Sequence, residues 1–173
     1  MLTKSAKILL TGLPGCGKTT AVMQIVAKLS HKKIVGFYTE EIRQNNARKG
    51  FRWNCLDGSS GILAHINIKS RFKVSKYGVD IAAFEKSVVP ILNIEQSDAQ
   101  LFVIDEIGKM ECMSKKFVTA VRDLFASDKS ILATVAQKGS GFISEVKKLP
   151  GVTVFTLNAN NRDKIIADVL QLF

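Results

Sequence analysis

The chain has 173 residues, of which 46% are hydrophobic and 23% charged, with a formal net charge of +10 at pH 7. These proportions are typical of a single globular domain spanning residues 1–173, and they exclude an intrinsically disordered chain and a collagen-like repeat. Because no apolar run approaches the roughly 18 residues that a membrane helix needs, the sequence also predicts a protein with no membrane partner.

The first part of the chain is predicted to form a strand, a helix and then an antiparallel insertion. Residues 7–11 are a mostly apolar run typical of a buried strand, and residues 20–30 place apolar side chains at helical spacing. Three further strands are predicted at 33–39, 51–56 and 62–68. The sequence Asp-Gly-Ser-Ser-Gly at 57–61 predicts a turn between the last two, which indicates antiparallel pairing in this central stretch.

The second half of the chain alternates strands and helices. A helix is predicted over residues 80–96, where Pro90 should kink it or end it early. Ser114 is expected to cap a further helix, and the last helix is predicted to begin near Asn161. Apolar runs predict strands at 101–105, 130–135 and 152–156. This repeated order indicates an α/β fold, a mostly parallel sheet flanked by helices on both faces.

Residues 12–19 match the pattern G-x-x-x-x-G-K-[ST], the P-loop or Walker A motif, between a predicted strand and a predicted helix. Its glycines allow successive backbone N–H groups to curl around a phosphate at the positive end of the helix. We expect Lys18 to reach the β- and γ-phosphates and the Thr19 hydroxyl to hold Mg²⁺. The alternative is an ordinary glycine-rich turn. The predicted nucleotide-binding residues here are Gly12, Leu13, Pro14, Gly15, Cys16, Gly17, Lys18, Thr19 and Thr20.

An acidic pair at the end of the apolar run 101–104 is the second chemical signal. A P-loop needs a carboxylate at the end of a neighbouring buried strand to hold the magnesium shell, and Asp105 has that position. Glu106 is predicted to orient and polarise a water for in-line attack on the γ-phosphate. We therefore predict Ile104, Asp105 and Glu106 at the nucleotide. The predicted metal residues are Thr19 and Asp105, and the predicted catalytic residues are Glu106 and Lys18.

Several segments carry a more specific pattern than these two motifs. The most specific is 103–111, Val-Ile-Asp-Glu-Ile-Gly-Lys-Met-Glu. The others are 11–20, 36–43, Arg48 with Gly50 and Phe51, 77–80 and 161–163. Together they resemble the P-loop nucleoside-triphosphatases known from thermophiles and, in human, as cancer-related nucleoside-triphosphatase. The resemblance implies a RecA-like P-loop NTPase fold and Mg²⁺-dependent hydrolysis of ATP, GTP and other nucleoside triphosphates, with low base selectivity.

Three cationic side chains within these segments have open roles. Arg43 or Arg162 could supply charge to the transition state, a role that elsewhere adds about 10³ to 10⁵ to the rate. For Arg43 the alternative is an ion pair with Glu40 or Glu41. Lys109 is expected either to reach phosphate or to hold the loop after the strand. Both Arg162 and Lys109 are included among the predicted nucleotide-binding residues.

Other polar and aromatic side chains have simpler interpretations. At the start of the last helix, capping by Asn161 and an ion pair of Asp163 compete with a contact to the base. Trp53 is expected to pack within its hairpin rather than to stack on a base. Because His31 and His65 have no metal-ligand spacing, we expect them to have core or surface roles.

The cysteines and the N-terminal residues bear on the cellular compartment. Cys16, Cys55 and Cys112 are odd in number and far apart, which suits neither a disulfide framework nor a CxxC metal site. Residues 1–7 lead directly into an apolar strand without the long apolar region of a signal peptide. We therefore predict a cytoplasmic protein with free thiols.

The excess of 25 Lys and Arg over 15 Asp and Glu favours anionic partners. Segment 42–80 holds eight basic and two acidic residues, and it is either a solvated basic face or a binding surface. Nucleoside triphosphates are the predicted partners, and nucleic acid is a partner that no motif supports. The alternative functions are a small-molecule or nucleotide kinase and a nucleic-acid-stimulated ATPase or nucleotide-switched regulator. A monomer is favoured, although the sequence does not establish the oligomeric state.

Overall fold

The computed structural model describes residues 5–173. Residues 1–4, which belong to the segment predicted to lack a signal peptide, lie outside this range. The strands are β1 (Lys7–Thr11), β2 (Ile34–Gln44), β3 (Ala47–Cys55), β4 (Ser60–His65), β5 (Lys73–Val74), β6 (Tyr77–Val79), β7 (Leu101–Ile107), β8 (Ser130–Val135) and β9 (Val152–Thr156). The α-helices are α1 (Lys18–Lys28), α2 (Ile81–Ser87), α3 (Lys115–Ala126), α4 (Phe142–Glu145) and α5 (Arg162–Leu170). Across the described range, no helix is long and apolar enough to cross a membrane.

The described strands form one sheet in the order β5-β6-β4-β3-β2-β7-β8-β1-β9. From β2 to β9 neighbouring strands are parallel, whereas β3, β4, β6 and β5 extend the sheet antiparallel from the other side of β2. The predicted fold class is therefore confirmed, including the antiparallel insertion. Because parallel strands point the same way, the carboxyl ends of β1, β7 and β8 meet at one edge of the sheet.

Helices cover both faces of the parallel part of the sheet. Along β1, Ile8 and Leu10 pack with α1 and α5, whereas Leu9 packs on the opposite side with α2, α3 and α4. On that second side, the ring of Phe37 packs edge-to-face against Phe84 and Phe117, with centroids 5.7 and 6.0 Å away. Burial of both faces explains why these strands appear in the sequence as continuous apolar runs.

The insertion begins on β2 itself, which continues to Gln44 beyond the predicted end at residue 39. Asn45 and Asn46 both have left-handed backbones, with φ of 49° and 58°, and they join β2 to β3 as a two-residue hairpin turn. The end of β2 is exposed and charged, so no apolar pattern marks it. The elements β5, β6 and α4 are not predicted because two to four residues are too few to show a period.

The helix boundaries follow local stereochemistry. The α2 helix ends at Ser87, and Pro90 lies in the 3-10 turn Val89–Leu92 that follows, which confirms the predicted early end. The Oγ of Ser114 accepts a hydrogen bond of 3.0 Å from the Phe117 N–H, which confirms the predicted cap of α3. The α1 helix begins at Lys18, two residues before its predicted start, because the P-loop leads directly into it.

Candidate active site

A cleft of about 1000 Å³ lies at the sheet edge where the carboxyl ends of β1, β7 and β8 meet. The P-loop forms one wall, and the end of β2 with Phe51 of β3 forms another. Asp105 and Glu106 of β7 lie between these walls, and residues 136–138, which follow β8, border the same space. The topology thus brings four separate segments of the chain to one cleft.

The P-loop has the backbone shape that its glycines predict. Gly15 and Gly17 have φ of 77° and 95°, in the left-handed region that side chains with a Cβ rarely adopt. Gly17 precedes the first residue of α1, and no side chain among residues 5–173 caps this helix. The first N–H groups of α1 are therefore available to an anion, and the helix dipole favours negative charge there.

The side chain of Lys18 folds back against the backbone of the P-loop. Its Nζ donates to the carbonyl oxygens of Gly12, at 3.2 Å, and of Leu13, at 3.5 Å. The same Nζ lies 3.8 Å from Oε2 of Glu106, and the Lys18 side chain is only 10% exposed. This ammonium group thus connects the P-loop to the carboxylate of β7 across the cleft.

Asp105 joins α1, β7 and β8 through hydrogen bonds. The Thr19 hydroxyl donates to Oδ2 of Asp105 at 2.6 Å, and the Thr134 hydroxyl donates to Oδ1 at 2.5 Å. Burial raises the pKa of Asp105, whereas the bonds from Thr134, Thr19 and the backbone of Thr39 lower it. Asp105 is 1% exposed. The two hydroxyl donors therefore hold its carboxyl group in place beside the P-loop, shielded from bulk water.

The oxygen donors at Thr19 and Asp105 fit a magnesium ion. In proteins Mg²⁺ is usually held by one or two carboxylates together with substrate phosphates, and a complete protein cage is unusual. Within residues 5–173, no cluster of three or more His, Cys, Asp or Glu side chains could hold a metal without substrate. A hydroxyl and a carboxylate beside a phosphate loop are therefore a suitable partial ligand set for Mg²⁺ that arrives with a nucleotide.

Glu106 borders the cleft as a second carboxyl group. Burial raises its pKa, the nearby Lys18 ammonium lowers it and Asp105 raises it further. Its side chain keeps 32% of its surface exposed, on the side of the cleft. A carboxylate in such a position can accept a proton from a water in the cleft.

A third carboxyl group, Glu111, is buried behind Glu106. A Cβ placed on Gly108 would lie 2.8 Å from Oε2 of Glu111 and 2.9 Å from Oε1 of Glu106, so both side chains pack against that glycine. Burial first, and repulsion by Glu106 second, raise the pKa of Glu111 to about 8. Glu111 is therefore mostly protonated at neutral pH. No role was predicted for it because it lies in the short 3-10 helix Glu111–Met113, beyond the apolar strand.

Four predicted nucleotide-binding residues do not line the cleft. Ile104 is fully buried within β7, and Lys109 is exposed on the loop after it. The sulfur of Cys16 packs behind the loop, 2.7 Å from where a Cβ on Gly12 would lie. Arg162 lies behind Gly17, where an added Cβ would lie 3.0 Å from its Nη1. The side chains of Cys16 and Arg162 therefore support the P-loop from outside the cleft.

Arg43 lines the cleft but is already paired. Its Nε donates to Oε2 of Glu41 at 2.8 Å, and its Nη2 lies 2.7 Å from the same oxygen. Arg48 forms a second ion pair with Glu41. Of the two roles predicted for Arg43, the structure therefore shows the ion pair with a neighbouring glutamate.

The remaining side chains named from the sequence lie away from the cleft. Trp53 is 4% exposed and packs over Gly61, which confirms its packing role. The side chain of Asn161 does not cap α5, so that prediction is wrong; its Oδ1 accepts from the N–H of Asn158 instead. Asp163 lies 4.0 Å from Arg162, at the limit of an ion pair, and His65 accepts a hydrogen bond from a neighbouring backbone N–H.

Several cleft residues were not predicted to lie at the nucleotide. These are Thr39, Glu40 and Glu41 of β2, Phe51 of β3, and Ala136, Gln137 and Lys138 after β8. Thr134 also escapes prediction, although a buried hydroxyl in an otherwise apolar strand is a signal that could have been used. The others are separated from the P-loop by at least twenty positions, so only the strand order reveals their proximity.

Comparisons with known proteins identify the family to which this chain belongs. The model of the family described as NTPase matches residues 7–170 of the chain. The chain belongs to the NTPase family. It is 40% identical over 166 residues to nucleoside-triphosphatase THEP1 of Thermotoga petrophila, covering 96% of this chain and 92% of that protein. It is 36% identical over 178 residues to the human cancer-related nucleoside-triphosphatase, covering 94% of each.

Solved structures of NTPase relatives have the same fold as this chain. The crystal structure of THEP1 from the hyperthermophile Aquifex aeolicus superposes with a TM-score of 0.88 at 38% identity, covering 96% of this chain and 98% of that one. The solution structure of the human cancer-related nucleoside triphosphatase gives a TM-score of 0.80 at 34% identity, covering 96% of each chain. The predicted family, the P-loop fold and the nucleoside-triphosphatase class of enzyme are thereby confirmed.

Proposed function

We propose that this protein hydrolyses the β–γ phosphoanhydride of ATP, GTP and other nucleoside triphosphates, with Mg²⁺ as cofactor and low base selectivity. One observation carries the proposal: Lys18 and the acidic pair Asp105 and Glu106, which is distant from it in sequence, border one cleft that opens at the P-loop. A cation, a metal-binding carboxylate and a second, partly exposed carboxylate are what in-line hydrolysis requires. The family membership supports the same reaction.

In the proposed mechanism, the P-loop amides and Lys18 hold the phosphates while Thr19 and Asp105 hold Mg²⁺. The metal, when bound, offsets charge on the β- and γ-phosphates. Glu106 orients a water and accepts its proton as the bond from water oxygen to the γ-phosphorus forms. The bond from that phosphorus to the β–γ bridging oxygen breaks, releasing nucleoside diphosphate and inorganic phosphate. No covalent enzyme intermediate is needed.

A phosphate-release panel tests the proposal. Purified protein is incubated with ATP, GTP, CTP or UTP, with Mg²⁺ or with EDTA, and without any acceptor molecule. We expect phosphate from all four nucleotides with Mg²⁺ and none with EDTA. Release that depends on an added acceptor would indicate a kinase, and release that requires RNA or DNA and falls steeply with salt would indicate a nucleic-acid-stimulated ATPase.

Asp105→Asn should weaken the Mg²⁺ dependence of the reaction. The amide keeps the size of the carboxylate and can still hydrogen-bond to Thr19 and Thr134, but it carries no charge. We expect the Mg²⁺ concentration for half-maximal rate to rise about 10- to 100-fold, as for other groups that support a bound metal. An unchanged Mg²⁺ titration would show that Asp105 does not hold the metal, and Asp98→Asn, an exposed site outside the cleft, is the control.

Three further assignments stay proposals. The single sheet within residues 5–173 supports the proposal that the chain, residues 1–173, is one domain. We also propose a monomeric state and a cytoplasmic location, the latter because three widely spaced cysteines favour free thiols. Ultracentrifugation of the purified chain would test the monomer directly.

A further inference from the structure

Three cationic side chains border the cleft, and two of them are engaged. Among the lining residues, the cations are Lys18, Arg43 and Lys138. Lys18 contacts Glu106 and the P-loop carbonyls, and Arg43 is paired with Glu41. Lys138 is exposed and forms no ion pair with any residue between 5 and 173. Its ammonium group is therefore available to a ligand in the cleft.

The backbone that carries Lys138 is held on both sides. Before it, the Nζ of Lys147 donates to the carbonyl oxygens of Ala136, at 2.7 Å, and of Gln137, at 2.9 Å. After it, Gly139 lies so close to Ile143 that an added Cβ would be 2.7 Å from the Ile143 Cγ2. These contacts fix where the chain leaves β8, while the side chain of Lys138 stays free.

The strand order determines which part of a substrate Lys138 would meet. Residues 136–138 follow β8, which lies between β1, the strand before the P-loop, and β7, the strand of Glu106. A cation above β8 therefore stands between the phosphate cradle and the carboxylate proposed to orient water. The group of a bound triphosphate that lies between those two features is the γ-phosphate.

We propose that Lys138 is a further catalytic residue that contacts the γ-phosphate and offsets the charge that develops on its oxygens during hydrolysis. The inference rests on the proposed function and adds a residue to it. An interaction that strengthens as charge moves in the transition state raises kcat more than it lowers KM. Lys138 would then supply within the chain the transition-state cation that paired Arg43 does not offer.

Lys138→Gln tests this role, with Lys148→Gln as the matched control. Lys148 is also exposed, lies on the turn after α4 and does not line the cleft, so both variants lose one positive charge. We expect kcat for ATP and GTP to fall about 10- to 100-fold in Lys138→Gln, somewhat less than for a buried transition-state donor. Affinity for ADP, which lacks the γ-phosphate, should stay within about twofold of the unmodified protein.

The alternative outcomes are distinct. A kcat for Lys138→Gln within about threefold of Lys148→Gln, with both variants folded by thermal unfolding, would overturn the proposal. A loss of ADP affinity as large as the loss of kcat/KM would also overturn it, because Lys138 would then act on the other phosphates. If the unmodified protein releases no phosphate from any nucleoside triphosphate, the proposed function itself fails, and ADP binding still reports whether the P-loop is competent.

Discussion

A Glu106→Gln variant is expected to release phosphate at least about 100-fold more slowly than the unmodified protein, while it still binds nucleotide. The amide has the size of the carboxyl group but cannot accept a proton from the attacking water. Lys18, which lies 3.8 Å from Glu106, stays in place to hold the phosphates. Single-turnover phosphate release at saturating ATP and Mg²⁺ would measure the chemical step, and fluorescent-nucleotide titration would measure binding.

Glu95→Gln is the control for this experiment. Glu95 is exposed, lies before β7 and does not line the cleft, so the same change there should leave kcat unaltered. If Glu106→Gln kept a kcat within about threefold of the control, Glu106 would have no part in activating water.

A Lys18→Met variant is expected to lose both binding and hydrolysis. Methionine keeps the length and apolar stem of lysine but removes the ammonium group that points at the phosphate site. Removing one partner of a buried, hydrogen-bonded charge pair costs about 2 to 5 kcal/mol, which is about 30-fold to several thousandfold in affinity. Lys18 is 10% exposed, so water would replace the lost cation poorly. Isothermal titration with ADP and ATP would give the affinity, and phosphate release the rate.

Lys28→Met tests whether any such loss is specific. Lys28 lies in the last turn of the same helix, α1, and is exposed, so this variant has the same change of net charge and of helix composition. Its nucleotide affinity should equal that of the unmodified protein. Equal affinities for Lys18→Met and Lys28→Met would contradict a phosphate role for Lys18.

The two variants separate binding from chemistry. Lys18 contributes to holding the phosphates before and during the reaction, so its loss should raise KM and lower kcat. Glu106 contributes when the water is deprotonated, so its loss should lower kcat with little change in nucleotide affinity. Opposite patterns would show that the roles are exchanged or that a different pair of side chains performs the reaction.

The parts of the site that sequence analysis located are those whose function depends on a few consecutive residues. The P-loop is one such segment, since its glycine conformations and the helix N-terminus at Lys18 follow from residues 12–19 alone. Asp105 and Glu106 are another, because they end a strand whose burial is visible as an apolar run. Pro90 and Ser114 likewise act on the backbone within one turn of themselves.

The parts that sequence analysis missed depend on distant pairing. Residues 40–48, the ends of β2 and β3 around their hairpin turn, are mostly exposed and polar or charged, so no burial period marks them. Contact with phosphate was one of the two roles predicted for Lys109, but its side chain is exposed on the loop after β7 and does not line the cleft. Lys138, in contrast, belongs to no motif and still borders the cleft.

Local backbone geometry and apolar periodicity act over fewer than about ten residues, and they can be read along the chain because the residues that produce them are neighbours. The phosphate loop, the buried strands and the acidic pair are of this kind. The order of the strands across the sheet arises instead from packing between segments up to a hundred and more positions apart. That order places Thr134 on Asp105 and Lys138 at the cleft, so only the folded structure shows that these side chains belong to one site.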